Sequence, residues 1–131
     1  DRMFGFGEKP YILHIDDEPS IRFLIVDLLE HLGYACVSTP SAKEGLQQAR
    51  KQTPILVLID AMMPEVDGYS TCREFRADPK FKDVPIIMLT ALDRMDQVER
   101  AFSAGANDYL IKPLDMARLK AKLTKVLGPR T

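Results

Sequence analysis

Tryptophan is absent from the 131 residues, and cysteine occurs only twice, as Cys36 and Cys72. Neither cysteine has metal-ligand spacing and no C-x-x-C is present, which excludes a zinc finger and a dithiol redox centre. The reading is two buried, reduced thiols in a cytoplasmic protein. No apolar run approaches the roughly 20 residues of a membrane span, and no secretory signal opens the chain. A large excess of one sign of charge is missing too. The 18 Lys and Arg nearly balance 19 Asp and Glu, for a net charge of −1. Direct nucleic-acid binding through a strong positive field is therefore not expected.

What is present is an ordinary globular composition, 46% apolar and 28% charged. A single domain of this length buries roughly two-thirds of its unfolded surface, enough for a core without staples. The stretch that organises the rest is Ile55-Leu56-Val57-Leu58-Ile59-Asp60, lying between Pro54 and Pro64. An apolar run of that length reads as a strand buried on both faces. A carboxylate at its carboxyl end sits where open α/β sheets place their ligands.

Residues 1–9 read as a tail or linker, 10–128 as the domain and 129–131 as a short tail. Tyr11–Ile15 predicts a first strand, followed by Asp16-Asp17. Pro19 suits a first helical turn, and Ile21, Leu24, Ile25, Leu28, Leu29 and Leu32 make one apolar face before Gly33 stops the helix. Tyr34–Val37 predicts a second strand. Ser41 with Glu44 is a capping box for a second helix. A short helix follows Gly68, and Ile86–Thr90 predicts a fourth strand. Asp93 or Asp96 starts the next helix, with Val98, Ala101, Phe102 and Gly105 facing inward. Asp108–Pro113 contains a fifth strand ending in Lys112. A last helix is lined by Met116, Leu119, Leu123, Val126 and Leu127, and Gly128-Pro129 ends it. Five strands alternating with five helices imply a doubly wound parallel sheet, with the flavodoxin-like (βα)5 order 2-1-3-4-5.

In such a sheet every strand ends on one edge. Asp16, Asp17, Asp60, Thr90 and Lys112 then converge from distant parts of the chain. Three carboxylates repel one another, so positive charge belongs among them. Hard oxygen ligands suit Mg²⁺, and Lys112 adds an ammonium. Carboxylate, cation, ammonium and hydroxyl together can stabilise a transferring phosphoryl group, with Asp60 as the nucleophile that forms an acyl phosphate.

At this point the sequence resembles the receiver domain of two-component response regulators, over about residues 10–128. The resemblance rests on Asp16-Asp17, on the D-x-x-M-P-x-x-D-G run from Asp60 to Gly68, on Thr90-Ala91, and on Ala104–Tyr109 leading to Lys112-Pro113. It implies that Asp60 is the phospho-acceptor, that Asp17 binds Mg²⁺ directly and Asp16 through water, and that the main-chain carbonyl of Met62 is a further ligand. It implies a cis Lys112–Pro113 peptide, and a Lys112 that contacts the phosphoryl group. Thr90 would bond a phosphoryl oxygen and Tyr109 would turn inward with it. The face built from the fourth helix, fifth strand and fifth helix would then change for an output domain or effector, and is one route to a homodimer. The donor would be a histidine kinase or a histidine phosphotransfer protein. The activity expected is self-phosphorylation and autodephosphorylation, not catalysis on an outside substrate.

Plainer readings stand beside these. His14 continues the apolar pattern of its strand and reads as a hydrogen-bonded core histidine. Arg73, Arg76 and Lys80 read as a solvated face. An aspartyl-phosphate phosphatase would want a second acid two residues after the nucleophile, where Met62 stands. A flavin-binding protein would want a phosphate-cradling loop where Asp-Asp-Glu stands. The alternative within the family is a non-phosphorylated pseudo-receiver that only docks proteins.

Overall fold

The computed structural model describes residues 9–91 and 95–129. Its strands are β1 (Ile12–Ile15), β2 (Cys36–Thr39), β3 (Leu56–Asp60), β4 (Ile86–Thr90) and β5 (Asp108–Ile111), and its helices are α1 (Pro19–His31), α2 (Ala42–Lys51), α3 (Gly68–Ala77), α4 (Met95–Ser103) and α5 (Met116–Leu127). All strand pairs are parallel, in the order β2-β1-β3-β4-β5. This is the flavodoxin-like order read from the alternation of elements. Asp93 lies outside the described residues, as does most of the N-terminal tail.

The helix ends follow local chemistry. Pro19 occupies the first turn of α1, and Gly33, at φ 92°, closes its far end in a conformation that glycine adopts freely. Side chains of Ser41, Asp67 and Asp115 accept from the amides of Glu44, Ser70 and Arg118, so α2, α3 and α5 each begin on a bonded cap.

Helices cover both faces of the sheet. Leu13, Ile15, Val57, Ile59 and Met88 pack towards α2, α3 and α4, while Ile12, Leu56, Leu58, Ile87 and Leu110 pack towards α1 and α5. β3 and β4 are buried at every position, as continuous apolar runs predict. Burying a side chain such as Leu58 or Ile59 contributes about 2 kcal/mol, which makes the sheet centre a stiff base for the loops above it.

Four sequence readings need correction. The second strand is Cys36–Thr39 rather than Tyr34–Val37, because Tyr34 belongs to the turn closing α1 and its amide bonds Leu29 O. Leu24 is 39% exposed, and only Ile25 and Leu29 of the α1 stripe are fully buried. Phe102 does not face inward. It is 46% exposed and meets Tyr109 edge-on instead. Arg76 is not solvated. Its guanidinium donates to the carbonyls of Gly105, Phe81 and Val84 and to Asn107 Oδ1, at 2.7–3.0 Å.

Candidate functional site

The acidic edge is assembled from β1 and β3, which are neighbours in the sheet. Register places Ile15 beside Ile59, so Asp16 and Asp60 leave the sheet side by side. One carboxylate oxygen from each of Asp16, Asp17 and Asp60 lies within 4.8 Å of the others. Asp16 is buried and well tied. Its amide donates to Thr39 O at 3.0 Å, its carbonyl accepts from Arg22 Nη1 at 2.8 Å, and its Oδ1 accepts from the Glu18 amide at 3.0 Å. Burial holds its carboxyl above the usual range. The Glu18 amide opposes that shift, Asp60 and Asp17 add to it, and Lys112 opposes it.

Lys112 enters from the loop after β5. Its amide donates to Thr90 O at 2.8 Å, and its peptide to Pro113 is cis. The ammonium reaches Asp60 Oδ1 at 2.8 Å and Asp16 Oδ2 at 3.9 Å. Thr90 is buried at the end of β4. Met62 lies in the loop after β3 with its side chain 68% exposed. Gly68 opens α3 directly against the end of β3 that carries Asp60. A Cβ there would overlap Asp60 O and sit 2.8 Å from Ala61 Cα, so only glycine allows this approach.

Three carboxylates against one ammonium leave the edge negative. Asp16 Oδ2 is buried with no hydrogen-bond partner. Hard oxygen donors, surplus negative charge and an unsatisfied oxygen fit a divalent cation, which Asp16, Asp17 and Asp60 could hold.

Tyr109 is half-buried on β5, between α4 and α5. Its ring is 6.1 Å from that of Phe102, edge to face, and the Lys122 ammonium lies 4.6 Å from its centroid. His14 is fully buried, with Nδ1 at 2.8 Å from Ser38 Oγ. Burial, with Lys112 and Arg22 nearby, pushes its pKa down to about 3, so the ring is neutral. Both thiols are free; Cys72 is buried as expected, whereas Cys36 is only half-buried, and burial raises Cys36 to about 12 and Cys72 to about 11, which disfavours the thiolate.

Sequence reasoning missed the roles of three residues, at this site and on the elements that carry it. Asp108 binds Lys122 at 2.8 Å and Lys125 at 3.2 Å. Tyr69, in the first turn of α3, donates to Gln97 Oε1 of α4 at 2.5 Å, beneath the Arg100 guanidinium. Arg22 supports Asp16 through its carbonyl. Asp108 stood within the quoted Ala104–Tyr109 run, but spacing alone does not tell an ion pair from a strand start.

The profile of the response regulator receiver domain matches residues 12–124. A probable transcriptional regulator, ycf27 of Pyropia yezoensis, is 42% identical over 121 residues, covering 92% of this chain and 49% of that protein. The chain thus spans about half the length of the curated relatives it matches. The chemotaxis protein CheY4 of Vibrio cholerae superposes with a TM-score of 0.86 at 27% identity, over 91% of this chain and 99% of that one. The receiver domain of sensor histidine kinase PA1611 from Pseudomonas aeruginosa PAO1, solved with a magnesium ion in its active-site cleft, gives 0.83 at 34% identity, over 93% and 100%. A profile match of this extent, on a parallel sheet with an acidic carboxyl edge, shows that the chain belongs to the response regulator receiver domain family.

Proposed function

We propose that the chain accepts a phosphoryl group on Asp60 from a phosphohistidine of a histidine kinase or histidine phosphotransfer protein, in a Mg²⁺-dependent reaction. A carboxylate oxygen of Asp60 attacks phosphorus, the N–P bond to the donor imidazole breaks, and the imidazole leaves with the bonding pair. Hydrolysis of the acyl phosphate returns Asp60 and inorganic phosphate. The carrying observation is the Lys112 ammonium at 2.8 Å from Asp60 Oδ1, beside two further carboxylates. Lys112 orients the nucleophile and neutralises charge as the phosphoryl group arrives. The Thr90 hydroxyl is proposed to bond a phosphoryl oxygen. Asp16, Asp17, Asp60 and the Met62 carbonyl would hold Mg²⁺, which supplies charge neutralisation to the phosphoryl oxygens.

Phosphorylation adds roughly −1.5 to −2 charges and three acceptor oxygens, enough to bias two existing arrangements. Tyr109 and the α4-β5-α5 face are the proposed readout, acting on an output domain or effector. The similarity to a probable transcriptional regulator of Pyropia yezoensis supports transcription as one such output. No outside substrate is proposed, and the setting is the cytoplasm, where a kinase meets ATP.

Intact mass after incubation with acetyl phosphate and Mg²⁺ tests this reading. Wild type should gain one phosphoryl group and Asp60→Asn none. A wild type that binds Mg²⁺ but gains nothing would overturn it in favour of a docking pseudo-receiver.

A further inference from the structure

His14 lies on β1 and Asp16 follows just beyond its end, two residues on, so the alternation of the strand sends both side chains to the same side, and both are fully buried. His14 Nε2 lies 3.7 Å from Asp16 Oδ2. Neither atom has a hydrogen-bond partner. Two buried polar atoms facing each other without partners call for a physical account.

The other ring nitrogen decides the matter. Nδ1 lies 2.8 Å from Ser38 Oγ, the residue paired with His14 across β2. A neutral ring carries one N–H, and a hydroxyl can donate or accept. If Nδ1–H donated to Ser38, the Nε2 lone pair would face a carboxylate oxygen, and both buried acceptors would be repelled. If Ser38 donates to Nδ1, the proton sits on Nε2 and is aimed at Asp16 Oδ2. The first arrangement leaves two buried acceptors facing each other unsatisfied, which is unfavourable. The second sets a donor against the carboxylate oxygen and turns that repulsion into attraction.

We infer that His14 is a positioning residue for the phosphorylation site: Ser38 fixes its tautomer, and its Nε2–H holds the Asp16 carboxylate in the orientation that the cation requires. At 3.7 Å the interaction is an oriented dipole on a charge rather than a hydrogen bond. Asp16 is then restrained at Oδ1 by the Glu18 amide and at Oδ2 by His14, with Lys112 beyond. Outer partners of this kind are worth about 10–100-fold in metal affinity. The role rests on the cation reading proposed above.

The test has two arms. Long-range ¹⁵N–¹H NMR of the wild-type histidines, without metal, reports the tautomer directly. Protonated Nε2 on His14 is expected, and protonated Nδ1 would overturn the inference. Calorimetric Mg²⁺ titration is then run on wild type, His14→Leu, His14→Gln and His14→Asn, with metal-free Tm for each. Leu should weaken Mg²⁺ binding about tenfold. Gln, whose amide N–H reaches the Nε2 position, should restore most of it, while Asn, which reaches only Nδ1, should not. Equal binding by His14→Leu and wild type would sink the inference alone. So would losses in all three variants that simply track Tm. A wild type that binds no Mg²⁺ would instead overturn the functional reading, and His14's role with it.

Discussion

The Asp108 carboxylate lies 2.8 Å from the Lys122 ammonium, and that same ammonium sits over the Tyr109 ring. One buried acid at the start of β5 thereby sets α5 against the aromatic side chain on the proposed output face.

Asp108→Asn should destabilise the fold by roughly 1–3 kcal/mol and leave Lys122 less ordered over Tyr109. Burial opposes ionisation of Asp108, but bonds from Lys122, the Tyr109 amide and Lys125 outweigh it and hold the carboxyl below its ordinary 3.8. A depressed folded pKa means that the unfolded chain binds the proton more readily. The stabilisation is therefore full above the ordinary value and is lost as pH falls through the lower folded one. Urea unfolding from pH 2 to 7 should show this acid loss in wild type and a weaker one in Asp108→Asn.

Asp16→Asn should have the opposite sign. Burial raises the Asp16 pKa, so the folded chain binds its proton more readily than the unfolded one, and stability falls as pH rises through that window. At neutral pH the buried charge is a standing cost. Without metal, Asp16→Asn should be more stable by on the order of 1 kcal/mol. In Mg²⁺ the order should reverse, because wild type gains binding energy that the variant lacks. Melting curves with and without Mg²⁺ check both halves.

Gly68→Ala tests how closely α3 crowds Asp60, the proposed nucleophile. The added methyl would overlap Asp60 O and press on Ala61 Cα, both backbone atoms that cannot swing aside. A loss of about 1–3 kcal/mol is expected. Acetyl phosphate should phosphorylate Asp60 more slowly, because its peptide is displaced. Unchanged kinetics in a destabilised variant would show that the strand end tolerates the shift.

Tyr69→Phe removes the bond to Gln97 but keeps the ring beneath Arg100. The stability cost should be about 1 kcal/mol. Amide hydrogen exchange should quicken in α4 more than in α5, since the lost bond ties α4 to the first turn of α3.

Most of the scaffold was legible because its signals are local. Continuous apolar runs gave β3 and β4, and Ser41 with Glu44 and Gly33 marked helix ends by chemistry acting within a few residues. The meeting of Asp16, Asp17, Asp60 and Lys112 was legible too, because parallel strands carry all their carboxyl ends to one edge. What stayed hidden depends on partners far apart in sequence. The bonds of Arg76 to Gly105 and Asn107 span 29 and 31 residues, and no periodicity separates such a side chain from a solvated one. Phe102 was misread for a related reason. Helical spacing finds an apolar stripe but not its neighbour, and beside Tyr109 that stripe stays half open to water.

The Arg76 guanidinium lies at the end of the sheet away from the carboxylates. It binds Gly105 O and Asn107 Oδ1, and the latter also accepts the Ile86 amide. The carboxyl end of α4 is thus riveted to the starts of β4 and β5, whereas its amino end follows the carboxylate edge beyond Thr90. A rod pinned at one end moves by pivoting. A push delivered at Thr90 would arrive where the lever arm is longest, so a small displacement there would sweep α4 across the Tyr109 face rather than slide it along its own axis.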